Sequence, residues 1–138
     1  MDQTGGLMAD KELLEQAKRT FWGYLGCELA ELDEQKAVVT LDVQEHHLNL
    51  LGILHGGVHT SLLDSAMGLI AMNVRPGEAV VTAGLNMHFT APVRKGKVTV
   101  VAEIVHQSGR MITTEGRLTD EAGKLCSMAT ASFRVLDK

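Results

Sequence analysis

The stretch NLLGILHGGVHTSLLDSAMG, residues 49–68, decides how the chain reads. A histidine and two adjacent glycines are followed, seven positions after the second glycine, by one aspartate among apolar residues. Apolar positions recur at helical spacing through and beyond it, which predicts a helix from about Gly56 to Asn73, broken by Pro76 and Gly77. Asp64 on such a helix must be paired, solvated or used, because burying a lone carboxylate is costly or forces it to hold a proton.

On either side the pattern changes. Residues 1–8 read as a loose leader, and ADKELLEQAKRTFWGYLG as a short amphipathic helix with Leu13, Leu14, Ala17 and Phe21 at helical spacing, ending near Gly23 and Gly26. CELAELDEQKAVVTLDV alternates like a hairpin with its turn at DEQ. After the helix come EAVVTAGLNMHFTAP, GKVTVVAEIVHQS, MITTEGRLTD and KLCSMATASFRVL, all strand-like, separated by turns with glycine or small polar residues. One long helix followed by four sequential strands indicates an α+β fold with an antiparallel sheet packed on the helix.

The 138 residues suit a single domain able to bury a core without disulfides or metals. Thirteen basic and seventeen acidic residues give a net charge of −4, which argues against a nucleic-acid partner but not against an anionic small ligand. Cys27 and Cys126 stand far apart and read as reduced core thiols. No basic-then-apolar leader and no apolar run of the ~20 residues a membrane span needs is present, so a soluble cytoplasmic protein without a membrane partner is expected.

Gly57, Ser61, Asp64 and Gly68 share one helix face, while Val58, Leu62, Ala66, Leu69 and Ile70 form an apolar face for the sheet. Gly56 and Gly57 stand where loop becomes helix, so a ligand can approach the backbone and the Gly57 N–H could serve a carbonyl or oxyanion. Seven helical residues rise about 10 Å, whereas one reacting carbonyl must lie ~3 Å from both its oxyanion donor and its attacking group. Gly57 and Asp64 of one chain therefore cannot serve one carbonyl. Two helices antiparallel across a twofold axis could build two composite sites, which makes a homodimer the functional unit.

These residues resemble the hotdog-fold acyl-CoA thioesterases of the PaaI type, from roughly Phe21 to Val135. The specific part is Asn49, Gly52, His55, Gly56, Gly57 and Asp64 at the family's spacing, N-x-x-G-x-x-H-G-G-x-x-x-x-x-x-D. The resemblance implies a long central helix wrapped by a curved antiparallel sheet, with sites at a dimer interface, usually within a homotetramer. It implies an acyl-CoA substrate, and no cofactor beyond the coenzyme A of that substrate. Carried onto this sequence, Gly57 matches the amide that polarises the thioester carbonyl, and Asp64 matches the nucleophile or general base from the opposite chain. Asn49 matches a side chain that assists at the carbonyl or positions water, Thr82 a hydroxyl that holds the water, and His55 a loop-shaping histidine near the thioester. Asp rather than Glu at 64 favours the PaaI branch over the menaquinone-pathway branch.

Other readings fit parts of the pattern. His55 and His59 are four apart, a possible metal spacing near His46 and His47, but the Glu of a zinc-protease motif is missing and no metal site is assigned. A hydratase or dehydratase acting on acyl thioesters, or a non-catalytic acyl-CoA-binding module, are the alternatives. For coenzyme A the candidate contacts are Gly56 and Ser61, Arg94 and Lys95 in the turn VRKG, and Ser108, Gly109 and Arg110 in the turn SGR. Met67, Met72, Met87 and Met111 supply adaptable apolar surface, but the acyl group itself is not legible.

Overall fold

The computed structural model describes residues 11–137, so the expected leader at 1–8 lies outside the described residues. In chain order the elements are helices α1 (Lys11–Ala17) and α2 (Phe21–Leu25), strands β1 (Glu28–Leu32) and β2 (Lys36–Val43), helix α3 (Gly56–Asn73), and strands β3 (Val80–Phe89), β4 (Gly96–Ser108), β5 (Met111–Thr119) and β6 (Leu125–Val135). The amphipathic N-terminal stretch is divided rather than continuous. The chain turns at 18–20, and α2 folds back so closely that a Cβ at residue 23 would collide with the Lys18 carbonyl, an approach only glycine permits.

The six strands form one antiparallel sheet in the order β1-β2-β4-β5-β6-β3. After α3 the chain therefore crosses to the far edge, where β3 pairs with β6, and then returns through consecutive hairpins β4, β5 and β6. α3 packs against all six strands and lies along the concave side of the sheet. The result is the α+β architecture expected, a long helix wrapped by an antiparallel sheet with short helices at the N-terminal side.

Alternation decides which side of each strand meets the helix: Val98, Val100 and Ala102 in β4, Ile112, Thr114, Gly116 and Leu118 in β5, and Ala129, Ala131 and Phe133 in β6 are all buried. The helix approaches closely at Gly116, where a Cβ would lie 2.9 Å from Leu63 Cδ2, so the missing side chain helps the helix to seat. The helix face differs from the sequence expectation. Leu62, Ala66 and Ile70 are buried as expected, but with Leu63, Met67 and Ala71, while Val58 and Leu69 are only half-buried. A helix wrapped from several sides buries more than one stripe, so its periodicity understates its burial. Cys27 and Cys126 are buried free thiols, and burial pushes the Cys27 thiol up to about 11.

Candidate active site

The loop before α3 is organised by its own polar groups. Asn49 Oδ1 accepts from the N–H of Leu51 (2.9 Å) and of Ile53 (3.3 Å), and the Asn49 N–H donates to Ile53 O (2.8 Å). Asn49 thus fixes the loop with its side-chain oxygen, leaving its amide group as the part able to meet a ligand. His47, buried beneath, accepts from the Gln44 N–H on Nδ1 (2.9 Å), so its Nε2 carries the proton and donates to Leu25 O (2.8 Å).

His55 is the N-cap of α3, and its Nδ1 accepts the Gly57 N–H at 2.7 Å. The amide expected to receive a carbonyl is therefore engaged by the preceding imidazole. Gly57 makes this closure possible, since a Cβ there would sit 3.0 Å from the same Nδ1. Thr60 and Ser61 donate back to the carbonyls of Gly56 (2.8 Å) and Gly57 (2.7 Å), so both hydroxyl protons stay on the helix.

Asp64 lies half-buried two turns along, and Thr82 at the start of β3 donates its hydroxyl to Asp64 Oδ1 at 2.8 Å. Oδ2 receives no hydrogen bond from the described residues, and Asp64 lines the adjacent cavity. That cavity, about 490 Å³, is mostly apolar, with Asp64, Ser65 and Thr82 as its polar lining and Trp22, Leu69, Met72 and Phe133 among its walls. Sequence reasoning missed it. It draws on α1, α2, β1, α3, β3 and β6 at once, and of the four methionines singled out it contains only Met72.

At the other end of β3, an open hollow of about 310 Å³ is lined by Leu54, Gly56, His59, Phe89, Thr90 and Pro92, with Ala91. Here Phe89 stands edge-on to His59 with ring centroids 5.4 Å apart, and His59 Nδ1 is hydrogen-bonded to Ser127 Oγ at 2.7 Å. His59 is only 3% exposed, and burial holds its pKa below the ordinary imidazole value. Within one chain, then, the glycine pair and the carboxylate stand at opposite ends of the edge strand, Gly56 beside Phe89 and Asp64 beside Thr82.

The basic turns divide in the same way. Arg94 and Lys95 follow Val93, whose carbonyl accepts from Leu54 N–H (2.7 Å) near the glycine pair. The Ser108–Gly109–Arg110 turn lies at the far end of α3, where Arg75 Nη1 donates to Gly109 O (2.9 Å) and Arg110 pairs with Asp137. Among the described residues no group of three or more His, Cys, Asp or Glu is placed to hold a metal ion. No described helix is long and apolar enough to cross a membrane.

Residues 51–127 match the thioesterase superfamily, more than half of the 138-residue chain. The chain belongs to that superfamily. It is 32% identical over 115 residues to the 1,4-dihydroxy-2-naphthoyl-CoA hydrolase of Listeria monocytogenes, covering 83% of this chain and 94% of that one. The crystal structure of a Haemophilus influenzae thioesterase superposes with a TM-score of 0.85 at 26% identity, over 91% of this chain and 90% of that one. The PaaI protein of the Escherichia coli phenylacetic acid degradation operon shares the fold, with a TM-score of 0.82 at 23% identity over 98% of this chain and 92% of its own. The chain is a thioester hydrolase with the hotdog fold expected from its sequence.

Proposed function

We propose that the protein hydrolyses the thioester of a small or medium acyl- or aryl-CoA, with Asp64 as nucleophile or general base and the Gly57 N–H as donor to the carbonyl oxygen, in sites shared between two subunits. The observation that carries this reading is the Thr82–Asp64 hydrogen bond at the mouth of an apolar cavity. One carboxylate oxygen is held by a hydroxyl and the other is left open, an arrangement suited to attack or to taking a proton from water.

The edge strand supports the shared site. β3 is ten residues long, ends its sheet, and contains no Asp, Glu, Lys or Arg, with Val81 43% and Phe89 56% exposed. The opposite edge, β1, is five residues long and carries Glu28 and Glu31. Long uncharged edges invite pairing whereas short charged ones resist it, so β3 is the edge that meets a second copy. Antiparallel pairing of β3 with its twofold mate sets the Thr82 end of one strand beside the Phe89 end of the other. Asp64 of one subunit then faces the partner's glycine pair, and the two separated basic turns also converge from different subunits. A dimer of dimers extends the same assembly, in the cytoplasm.

In the general-base route, Asp64 takes a proton from water as its oxygen attacks the thioester carbon. The oxyanion takes the place of the His55 imidazole at the Gly57 N–H, and the C–S bond then breaks as the proton passes to the departing thiolate. In the nucleophilic route Asp64 itself attacks the thioester carbon and the C–S bond breaks to release the coenzyme A thiolate, giving a mixed anhydride that water opens to the free acid and the regenerated carboxylate, the released proton balancing the thiolate. Asn49 supports the loop and offers its amide to the carbonyl or the water. The test is free-thiol release from a panel of aryl- and aliphatic acyl-CoAs by the wild type and by Asp64→Asn. The folded variant is expected to lose about 10²- to 10⁴-fold in kcat with KM little changed, and near wild-type turnover would return Asp64 to the status of a solvated helix residue.

A further inference from the structure

We propose that the cavity beside Asp64 is the acyl pocket, that α1 and α2 form its roof, and that it accepts an unbranched aliphatic acyl group of about eight to twelve carbons. This rests on hydrolysis at Asp64 as argued above. It adds that the acyl chain is held by the subunit supplying the carboxylate.

Three observations lead there. First, the polar lining is confined to Asp64, Ser65 and Thr82, two of them adjacent in sequence and two hydrogen-bonded to each other, while the remaining walls are apolar or glycine. The carboxylate and the Ser65 and Thr82 hydroxyls therefore gather at one rim, and the walls beyond it offer the Trp22 indole N–H as their one polar group, which favours hydrocarbon over a hydroxylated aryl group. Second, no residue of α1 is buried, yet Leu13, Leu14 and Ala17 all line the cavity, joined by Trp22 from α2. The apolar face of this helix covers space instead of core, and an apolar occupant completes its burial. Third, Gly68, one turn beyond Asp64, is the lining glycine, and a Cβ there would touch Phe133 at an ordinary 3.5 Å. The absent side chain leaves space on the helix wall of the cavity, one turn past Asp64.

Size sets the chain length. At the ~30 Å³ that a water-sized group takes up in a liquid, the cavity of about 490 Å³ holds at most about sixteen carbon-sized groups. Its side is open, so a shorter chain fills the enclosed part.

The experiment compares kcat/KM for butanoyl-, octanoyl-, decanoyl- and hexadecanoyl-CoA, and reads the emission of Trp22, the one tryptophan of the chain. In the wild type kcat/KM should climb by up to about fourfold per methylene to octanoyl or decanoyl, then level. Gly68→Leu, which fills that space, should cut the decanoyl-to-butanoyl ratio by about tenfold or more. Ala17→Phe, on the roof and away from the core, should shift the ratio the same way and serves if Gly68→Leu fails to fold. In Asp64→Asn, where turnover is blocked, decanoyl-CoA should change Trp22 emission and acetyl-CoA should not. Emission that responds to decanoyl-CoA with no hydrolysis of any acyl-CoA by the wild type would overturn the thioesterase reading and leave the pocket standing. Hydrolysis with silent Trp22 emission and an unchanged chain-length ratio in the folded variants would overturn the pocket and leave hydrolysis standing.

Discussion

The Thr82 hydroxyl donates to Asp64 Oδ1 at 2.8 Å and so ties the edge strand β3 to the middle of α3. The bond fixes the carboxylate rotamer at the cavity rim, and the hydroxyl lone pairs remain available to a water proton. Strand, helix and carboxylate are thereby positioned together.

If Thr82 orients Asp64, Thr82→Val should lower kcat by about 10- to 150-fold, the equivalent of the ~1.5–3 kcal/mol of a hydrogen bond to a charged group, while KM stays near wild type. Thr82→Ser should restore most of it. Steady-state kinetics on the three proteins decides the matter, since a merely structural threonine would give equal losses, or none, in both variants.

His55 caps α3 through the Gly57 N–H. His55→Ala should cost about 0.5–2 kcal/mol of stability, read as a lower urea midpoint with an unchanged slope. An unchanged midpoint would mean that the imidazole contributes nothing to the helix start.

Much of this architecture was legible in the sequence, for identifiable reasons. The bounds of α3 follow from the glycine pair at one end and Pro76–Gly77 at the other, and the strands from alternation between turns such as SGR and DEAG. What escaped were relations between distant segments. His59 reads in sequence as a helix residue four from His55, a possible metal spacing, and only the sheet brings Ser127, 68 residues away, to its ring. The cavity likewise needs α1, whose Leu13, Leu14 and Ala17 look like ordinary core-facing positions until the fold shows space beneath them. Occupation of the Gly57 amide by His55 is a matter of rotamer, which spacing does not encode.

Two buried histidines should make stability depend on pH. Burial lowers the pKa values of His47 and His59, whereas in the unfolded chain each protonates near the ordinary value of about 6.5. Below that value the unfolded state binds protons that the folded state refuses, so the stabilisation present above ~6.5 is lost as pH falls toward the depressed folded values. Urea midpoints at fixed protein concentration should therefore drop between pH 7.5 and 5, by as much as ~1.4 kcal/mol per pH unit for each histidine. The drop should be smaller in His59→Gln. Equal midpoints at both pH values would show that neither ring resists protonation.

The shared site is tested most directly by mixing two inactive variants, Asp64→Ala and Gly57→Pro. Proline at 57 removes the N–H and, with the His55 imidazole turned aside from its cap, is acceptable in the first turn of a helix. In a mixed dimer one site inherits both lesions, while the other joins an intact Gly57 to an intact Asp64. Random exchange makes about half of the dimers mixed, each with one good site of two, so co-refolding should return about a quarter of wild-type thioester hydrolysis. No recovery from correctly folded mixed dimers, verified by mass spectrometry, would contradict the account and place each site within a single chain.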